Sequence, residues 1–295
     1  MNLPLVLPPP LAPGDHLWVI LPSGALRELE LFEQGVEIWR GRGYQVHLCD
    51  TYDHRWGYLA GTDAERRLAL AQGLKEPTIK GILCGRGGYG SARLLEDWQW
   101  PPADLKWLIG FSDITSLLWG LLGQGISGVH GPVLTTLAQE PNWSRQRLFD
   151  CVEGRPLPPL IGKGWGQGQA MGRLIPANLT VATHLLGTPL QPDLRGCILA
   201  LEDVTEAPYR IDRMLTQWRL SGILPQLGGV ALGRFSQCEA PAPSFTVETV
   251  LRDRIGDLGI PVVSELPFGH HGANAALPVG VMACLDGDRG TLAIL

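Results

Sequence analysis

Short apolar runs alternate with amphipathic stretches along the first part of the chain. Residues 15–21 form an apolar run that Pro22-Ser23-Gly24 ends, which predicts a buried strand followed by a turn. The next stretch carries apolar residues at helical spacing, namely Leu29, Phe32, Val36 and Trp39. Gly41 and Gly43 end that pattern, so a strand followed by a helix is predicted.

The same alternation continues beyond this first pair of elements. Residues 44–48, 81–84 and 107–110 each have the length and apolar content of a short strand. Thr62, with Glu65 three positions later, forms a capping-box pattern that predicts the start of a second helix. Strands that alternate with helices predict an α/β fold with a doubly wound, mainly parallel sheet covered on both faces.

The pattern breaks down between about residues 140 and 168, where proline and glycine become frequent. Such a composition is typical of linkers and domain boundaries. We therefore predict an N-terminal α/β domain at residues 1–140, a Pro/Gly-rich linker at 141–168 and a C-terminal domain at 169–295.

The second half of the chain is richer in strand-like runs than the first. These runs are residues 196–201, 229–232, 261–263, 279–285 and 291–294. A helix with one apolar face begins near Pro208 and ends at Gly222. The C-terminal domain is therefore predicted to be a strand-rich α/β domain.

Size and charge narrow the classes of partner. The chain has 295 residues, 45% of them hydrophobic, which suffices for one large domain or two modest ones. Lys and Arg total 24 against 29 Asp and Glu, a net charge of -5, and no basic cluster occurs. We therefore expect neither nucleic acid nor an anionic membrane surface as a partner.

Location and cofactors follow from features that the sequence lacks. The N-terminal segment has neither the basic region nor the unbroken apolar stretch of a signal peptide, and no run reaches the roughly 20 apolar residues that span a bilayer. A cytoplasmic location is expected. The six cysteines are scattered singly, which predicts buried reduced thiols rather than a zinc site. No metal or other cofactor is expected.

The segment at residues 110–115, Gly-Phe-Ser-Asp-Ile-Thr, follows one of the predicted strands and precedes a helical stretch. A serine in such a sharp turn raises its hydroxyl above the sheet edge, and the amide of Asp113 faces the same space. Ser112 is therefore a candidate nucleophile. The alternative is that Ser112 only caps the helix, and this segment taken alone favours the cap.

A glycine-rich loop at residues 84–93 follows the strand at 81–84. Its backbone N–H groups could approach a phosphate or an oxyanion equally closely. Its spacing fits neither the dinucleotide-binding fingerprint nor the P-loop. A purely structural turn is an equal alternative.

Two further residues complete a possible catalytic set. Glu202 directly follows an apolar run, where its burial would be costly without a partner. His270 and His271 lie in a glycine-flanked loop and lack the spacing of a helical zinc site. A nucleophilic serine needs a base, and that base needs an orienting carboxylate. Ser112, His270 and Glu202 could fill these roles, whereas a solvated loop histidine is the structural alternative.

Four segments in this order make the chain similar to the LD-carboxypeptidase family of serine peptidases, also called the muramoyltetrapeptide carboxypeptidase or microcin-immunity family. The segments are residues 86–95, 110–115, 201–204 together with 209–215, and 268–270. They extend over nearly the whole chain. Each motif alone is unspecific, but four in the same order form a strong resemblance.

The resemblance implies a role for each candidate residue. Ser112 would be the nucleophile, His270 the base and Glu202 the carboxylate that orients the base. The oxyanion hole would use the amides of Asp113 and Gly88, with Gly87 as the near alternative. The resemblance also implies a homodimer, an active site between the two domains, and release of terminal D-alanine from muropeptide tetrapeptides during cell-wall recycling.

The sequence departs from the family pattern at one place. Family members typically carry Gly-Gly before Asn-Leu, whereas this chain has Pro176-Ala177 before Asn178-Leu179. Proline fixes φ and removes a backbone donor, so the conformation or a substrate contact is expected to differ there. The departure puts the substrate preference in doubt, whereas it does not affect the assignment of the triad.

Other interpretations stay open at this point. A peptidase of the microcin-immunity type would cleave a peptidyl-nucleotide instead of a muropeptide. A nucleotide- or phosphate-binding module built on residues 85–91 would keep its ligand after Ser112→Ala and cut no amide. A pseudoenzyme would bind wall peptides without cleaving them. Arg86 could bind a substrate carboxylate or form a structural salt bridge, so it is not assigned to the site.

Overall fold

The computed structural model describes residues 4–241 and 243–295. They divide into two compact units: the first runs to Pro156 and includes Ala276–Pro278, and the second comprises Leu157–Ala275 and Val279–Leu295. The change between units at residue 156 falls inside the predicted linker. The predicted absence of a signal peptide concerns a segment whose residues 1–3 lie outside the described ones.

Fourteen strands and eight helices are present in the described part of the chain. The strands are β1 (His16–Ile20), β2 (Gln45–Leu48), β3 (Ile79–Cys84), β4 (Trp107–Gly110), β5 (Val129–His130), β6 (Leu160–Ile161), β7 (Lys163–Gly164), β8 (Gln169–Asn178), β9 (Ile198–Val204), β10 (Gly229–Ser236), β11 (Val262–Ser264), β12 (Leu277–Pro278), β13 (Met282–Asp286) and β14 (Thr291–Ile294). The helices are α1 (Leu29–Gly41), α2 (Asp63–Lys75), α3 (Thr115–Gly123), α4 (Leu134–Leu137), α5 (Asn142–Val152), α6 (Leu179–Leu185), α7 (Pro208–Leu220) and α8 (Val247–Ile255).

The first unit is built on a six-stranded sheet with the order β12-β5-β4-β3-β1-β2. Its strands pair in parallel except for β12, which is antiparallel to β5. This arrangement confirms the predicted mainly parallel sheet. The carboxyl end of β3 leads into the glycine-rich loop and that of β4 leads to Ser112, so both segments start from one edge of the sheet.

Two local sequence signals explain the helices of this unit. Thr62 and Glu65 form the predicted capping box at the start of α2: the Thr62 hydroxyl accepts from the Glu65 N–H, and the Thr62 N–H donates to the Glu65 carboxylate at 2.7 Å. In α1, Phe32, Val36 and Trp39 form a buried face. Both predictions are confirmed.

The second unit contains an eight-stranded sheet with the order β6-β14-β13-β8-β9-β10-β11-β7. Strands β8, β9, β10 and β11 pair in parallel, and antiparallel strands flank them on both sides. Helix α7 starts with Pro208 and buries Ile211, Leu215 and Trp218. The predicted strand-rich α/β domain is confirmed.

Part of the segment predicted as a linker has regular structure instead. Residues 142–152 form α5, whose Leu148, Phe149 and Val152 are buried. Its buried face also carries Arg147, which reads as a polar position in the sequence, so the helical pattern is weak there. The composition rich in glycine and proline begins only after this helix, at Gly154.

Two further predictions concern the state of the cysteine thiols and the presence of membrane-spanning segments. All six cysteines are free thiols, and all except Cys284 are buried. Within residues 4–241 and 243–295, no helix combines the length and the apolar character needed to cross a bilayer.

Candidate active site

Ser112 lies directly after β4, in a turn with unusual backbone geometry. Phe111 is extended, with φ of -147°, whereas Ser112 has φ of +64° in the left-handed region. A non-glycine residue held there costs on the order of 1–3 kcal/mol and persists only when its surroundings enforce it. The residue that caps α3 is Ile114, so Ser112 does not act as the helix cap. The strand, strained turn and helix match the geometry of a nucleophile elbow.

The Asp113 carboxylate fixes the loops around the serine. This buried group accepts a hydrogen bond from the Ser23 hydroxyl at 2.6 Å and another from the Ser91 N–H at 2.8 Å. The Ser91 hydroxyl also donates to the Asp113 carbonyl oxygen at 2.5 Å. Hydrogen bonds to a buried carboxylate are short and strong. They therefore hold together the loop that carries Ser23, the glycine-rich loop that carries Ser91, and the turn at Ser112.

The glycine-rich loop passes close to Ser112. A Cβ atom at Gly87 would lie 3.3 Å from the Ser112 hydroxyl oxygen, so any side chain there would press on Ser112. Gly88 has φ of +114°, which a side chain would strain. Within the described residues, neither the Gly88 N–H nor the Asp113 N–H has a hydrogen-bond acceptor. Neither donor is therefore engaged by another group of the described residues.

Arg86, at the start of this loop, forms a salt bridge. Its Nε donates to a Glu28 carboxylate oxygen at 2.9 Å, and a second guanidinium nitrogen lies 3.4 Å from the other oxygen. Burial raises the pKa of Glu28, but the hydrogen bond and charge of Arg86 outweigh burial and lower it overall. Arg86 thus has the structural role that the sequence left as an alternative.

In the second unit, Glu202 and His270 form a close pair. His270 Nδ1 lies 2.6 Å from Glu202 Oε2. The Glu202 side chain is fully buried, and that of His270 is 19% exposed. An ionised carboxylate can only accept, so Nδ1 carries the hydrogen and the lone pair stays on Nε2. This is the tautomer that a general base requires.

Asn178 holds the other oxygen of Glu202. Strands β8 and β9 pair so that Asn178 lies opposite Glu202, and the Asn178 amide donates to Glu202 Oε1 at 3.1 Å. The same amide group donates to Asp203 at 3.0 Å, and its carbonyl oxygen caps α6 by accepting from the Val181 N–H. One side chain thus joins a helix start to both buried carboxylates.

Asp203 supports this arrangement from the neighbouring position. Its carboxylate accepts from the N–H and the hydroxyl of Thr180, at 2.9 Å and 2.8 Å, and from the Val204 N–H at 2.8 Å. Burial raises the pKa of Asp203 to about 6, although these hydrogen bonds oppose the rise. The charge of Glu202 adds to the rise.

The loop that carries His270 is fixed at several points. The Gly269 N–H donates to the Asn274 side chain at 2.9 Å, and the Ser236 hydroxyl donates to the His270 carbonyl oxygen at 2.6 Å. Gly269 has φ of +108°, and a Cβ atom there would lie 2.9 Å from Glu202 Cβ. Only glycine lets the loop approach Glu202 this closely.

The pKa of His270 lies above its ordinary value of 6.5. Burial lowers this pKa, but the charge of Glu202 and its hydrogen bond to the imidazole raise it by more. The pair therefore stabilises the imidazolium that a base becomes after accepting a proton.

The predicted residues thus occupy two sets. Ser112, Asp113, Gly87 and Gly88 lie together in the first unit, whereas Glu202 and His270 lie together in the second. Residues 4–241 and 243–295 contain no group of three or more histidine, cysteine, aspartate or glutamate side chains arranged to hold a metal ion.

Sequence reasoning named Asn178 only as part of a departure from the family pattern and gave it no role. Its contact with Glu202 depends on the pairing of β8 with β9, and β8 was not predicted. The unusual Pro176 lies in β8 beyond Arg173, where the pairing with β13 ends. A missing backbone donor is tolerated at such a position.

Comparison with known proteins finds matches over nearly the whole chain. The model of the LD-carboxypeptidase N-terminal domain matches residues 18–131, and that of the C-terminal domain matches residues 171–285. A Synechocystis protein provisionally named as a carboxypeptidase is 62% identical over 98% of this chain and 97% of its own. The murein tetrapeptide carboxypeptidase of Pseudomonas aeruginosa is 32% identical over 95% of this chain and 92% of its own.

Solved structures extend the comparison to the fold. The muramoyltetrapeptide carboxypeptidase from Oxalobacter formigenes matches with a TM-score of 0.84 and 29% identity, over 94% of this chain and 97% of its own. The microcin C7 self immunity protein MccF matches with a TM-score of 0.88 and 22% identity over 98% of both chains. The second similarity is one of fold alone.

Proposed function

The chain belongs to the LD-carboxypeptidase family, and on that basis we propose that it is a serine peptidase that removes terminal D-alanine from muropeptide tetrapeptides. The proposed bond is the amide between an L-configured centre and the D-alanine nitrogen. Relatives that are named as murein tetrapeptide and muramoyltetrapeptide carboxypeptidases support this substrate.

In the proposed reaction, the Ser112 hydroxyl oxygen attacks the carbonyl carbon and His270 Nε2 accepts its proton. Glu202 keeps the imidazole in the required tautomer and stabilises its positive charge. His270 then returns the proton to the leaving nitrogen of D-alanine, and the remaining peptide is held as an ester on Ser112. Water, activated by His270, hydrolyses the ester and restores the free hydroxyl.

The negative charge of the tetrahedral intermediate needs hydrogen-bond donors. We assign this role to the N–H groups of Asp113 and Gly88, with that of Gly87 as the alternative. The available N–H groups of Asp113 and Gly88, in loops made rigid around Ser112, support the assignment. Removal of one such donor typically costs ~10²–10³ in rate.

The observation that carries the proposal is the 2.6 Å contact between His270 Nδ1 and the fully buried Glu202 carboxylate. A buried carboxylate is costly unless it is paired, and its partner here is a histidine whose second nitrogen is the proton acceptor of the proposed reaction. A solvated loop histidine would not need this arrangement.

A second candidate substrate is a peptidyl-nucleotide of the microcin type. The fold similarity to MccF is compatible with it, although 22% identity carries no substrate assignment. Cell-wall peptide is favoured because relatives at 32% and 29% identity are named for murein or muramoyl tetrapeptides.

We also propose, from the family resemblance alone, that the protein is a homodimer and lies in the cytoplasm. Light scattering after size-exclusion chromatography tests the dimer, which should have twice the mass of one chain.

The substrate assignment is tested by mass spectrometry, which detects alanine released from a tetrapeptide and the separated parts of a cleaved peptidyl-nucleotide. The substrates are a murein tetrapeptide that ends in D-alanine, its isomer that ends in L-alanine, and a peptidyl-nucleotide. We expect release from the first only. Cleavage of the nucleotide alone would replace the wall-peptide assignment by the microcin type, and cleavage of none of them would remove both.

A further inference from the structure

Two exposed tyrosines in the first unit have no role in the proposed reaction. Tyr58 and Tyr89 are 58% and 53% exposed. Their ring centroids lie 5.9 Å apart, and the ring planes are tilted by 57°. Single exposed aromatic residues are common, but two exposed rings in contact form a small apolar surface. We call this pair the tyrosine surface.

Tyr58 is held by a tight turn. The N–H and carbonyl groups of Trp56 and Leu59 bond to each other at 2.9 Å and 3.0 Å, and the Tyr58 carbonyl accepts from the Ala25 N–H at 2.9 Å. The Leu59 side chain packs where a side chain on Gly90 would lie. The backbone of the turn that carries Tyr58 is therefore fixed against the glycine-rich loop.

Tyr89 is attached to the nucleophile segment on both sides. Gly87, two residues before it, approaches Ser112, and the N–H of Ser91, two residues after it, binds the Asp113 carboxylate. At most about 7 Å of chain separates Tyr89 from Gly87. The Tyr89 backbone therefore lies within about 12 Å of the Ser112 hydroxyl, and the turn that carries Tyr58 packs against the same glycine-rich loop.

We propose that the tyrosine surface is a subsite for a sugar ring of the substrate, the saccharide at the N-terminal end of the muropeptide. The inference rests on the proposed function, since a muramoyl peptide carries its saccharide at the end opposite the scissile bond. The three residues before that bond extend to ~10 Å, and the short chain between Gly87 and Tyr89 keeps the Tyr89 backbone within about 12 Å of Ser112. The apolar face of a pyranose can stack on an exposed aromatic ring.

The surroundings of the pair suit a sugar better than a base or a protein. Rings tilted by 57° form no parallel slot that could enclose a flat base. Two rings are also far smaller than a protein interface. Arg93, four residues after Tyr89, is held by Asp63 at 2.7 Å, so hydrogen-bonding charged groups belong to the segment that carries the surface.

The first experiment compares kcat/KM for a disaccharide tetrapeptide and for the free tetrapeptide. Loss of one stacked ring changes binding by about three- to tenfold. We expect the wild type to prefer the saccharide-bearing substrate by this factor or more. We expect Tyr58→Leu to remove most of the preference and Tyr58→Phe to keep it.

The matched control is Leu68→Ala in the same unit. Leu68 is a comparably exposed apolar residue that lines a cavity with His16, at the opposite end of β1. This variant is expected to keep both the preference and the rate. Equal kcat/KM of the wild type for the two substrates, or an unchanged preference in Tyr58→Leu, would overturn the inference while leaving D-alanine release intact.

A binding experiment separates this inference from the proposed reaction. Ligand-observed NMR measures binding of the peptide-free disaccharide GlcNAc-MurNAc, with adenosine as the comparison ligand. We expect disaccharide binding by the wild type and by Ser112→Ala, and weaker binding by Tyr58→Leu. Failure of the disaccharide to bind, binding that Tyr58→Leu does not change, or Tyr58-dependent binding of adenosine alone would overturn the subsite even if the enzyme releases no D-alanine.

Discussion

The two units hold their functional side chains by different means. In the first unit, backbone conformation places Ser112, which has φ of +64° in a turn between a strand and a helix. In the second unit, side-chain hydrogen bonds place Glu202 and His270, and Asn178 holds the remaining carboxylate oxygen. The first arrangement depends on local strain, and the second depends on burial and pairing.

This difference determines which substitutions each unit tolerates. A side chain can be removed at Ser112 without leaving a buried group unpaired, so activity is expected to fall without unfolding. Removal of His270 or Asn178 leaves a buried carboxylate with fewer partners, which costs stability as well as activity. Substitutions of these residues in the second unit should therefore lower both the activity and the free energy of unfolding.

The largest effect in the second unit is expected for Glu202→Gln. The amide cannot hold His270 in the required tautomer or stabilise its charge, so kcat should fall by ~10³–10⁴. Steady-state release of D-alanine checks this expectation. A fall of less than tenfold would show that Glu202 does not orient the base.

The same variant should change the pH profile. The pKa of His270 is raised above 6.5, and the neutral form is the base. Activity should therefore be lost as the pH falls through a midpoint above 6.5. In Glu202→Gln the attraction that raises this pKa is absent, so the midpoint of the residual activity should move to lower pH. A midpoint that does not move would show that Glu202 does not raise the pKa of His270.

Gly269→Ala tests the close approach of the histidine loop to Glu202. The added Cβ would lie 2.9 Å from Glu202 Cβ, so the loop must shift and activity should fall by about 100-fold. Gly14→Ala is the matched control for backbone strain, because its φ of +96° is close to that of Gly269 and a Cβ atom there meets open space. Equal activities of the two variants would show that the close approach to Glu202 does not matter.

Asn178→Ala should lose about 1–3 kcal/mol of folding free energy and about tenfold in kcat, because it removes a helix cap and a donor to two buried carboxylates. Thr246→Ala removes only the cap of α8 in the same unit and should cost about 1 kcal/mol without loss of activity. Denaturant unfolding and kinetics check both variants. Equal kinetics would remove Asn178 from the site.

The smallest effect concerns strain in the first unit. Ser112→Gly should be more stable than Ser112→Ala by about 1 kcal/mol, because glycine adopts φ of +64° without a steric cost. Both variants lack the hydroxyl, so the comparison isolates the backbone. Chemical denaturation measures the difference, and equal midpoints would show that the turn stores no strain.

Local sequence signals predicted much of the fold. The capping box at Thr62 and Glu65 and the apolar spacing in α1 were sufficient because each depends on residues close in sequence. The segments around Ser112, Glu202 and His270 also resembled a family in order and spacing. These features were therefore available before any contact was known.

Other features depend on contacts between distant residues. Arg147 reads as polar, yet it is buried in α5, where its Nε donates to the Ala276 carbonyl at 3.1 Å. Asn178 meets Glu202 only through strand register, 24 residues apart in sequence. Neither contact leaves a local pattern, so a linker was predicted in place of α5 and the role of Asn178 was missed.

The central claim is that Ser112 attacks the substrate amide. It is tested most directly by the rate of D-alanine release from a murein tetrapeptide by the wild type and by Ser112→Ala, with circular dichroism as the control for folding. We predict a loss of ~10⁴-fold or more in a variant with the native spectrum. Release by folded Ser112→Ala at a rate near that of the wild type would contradict the account.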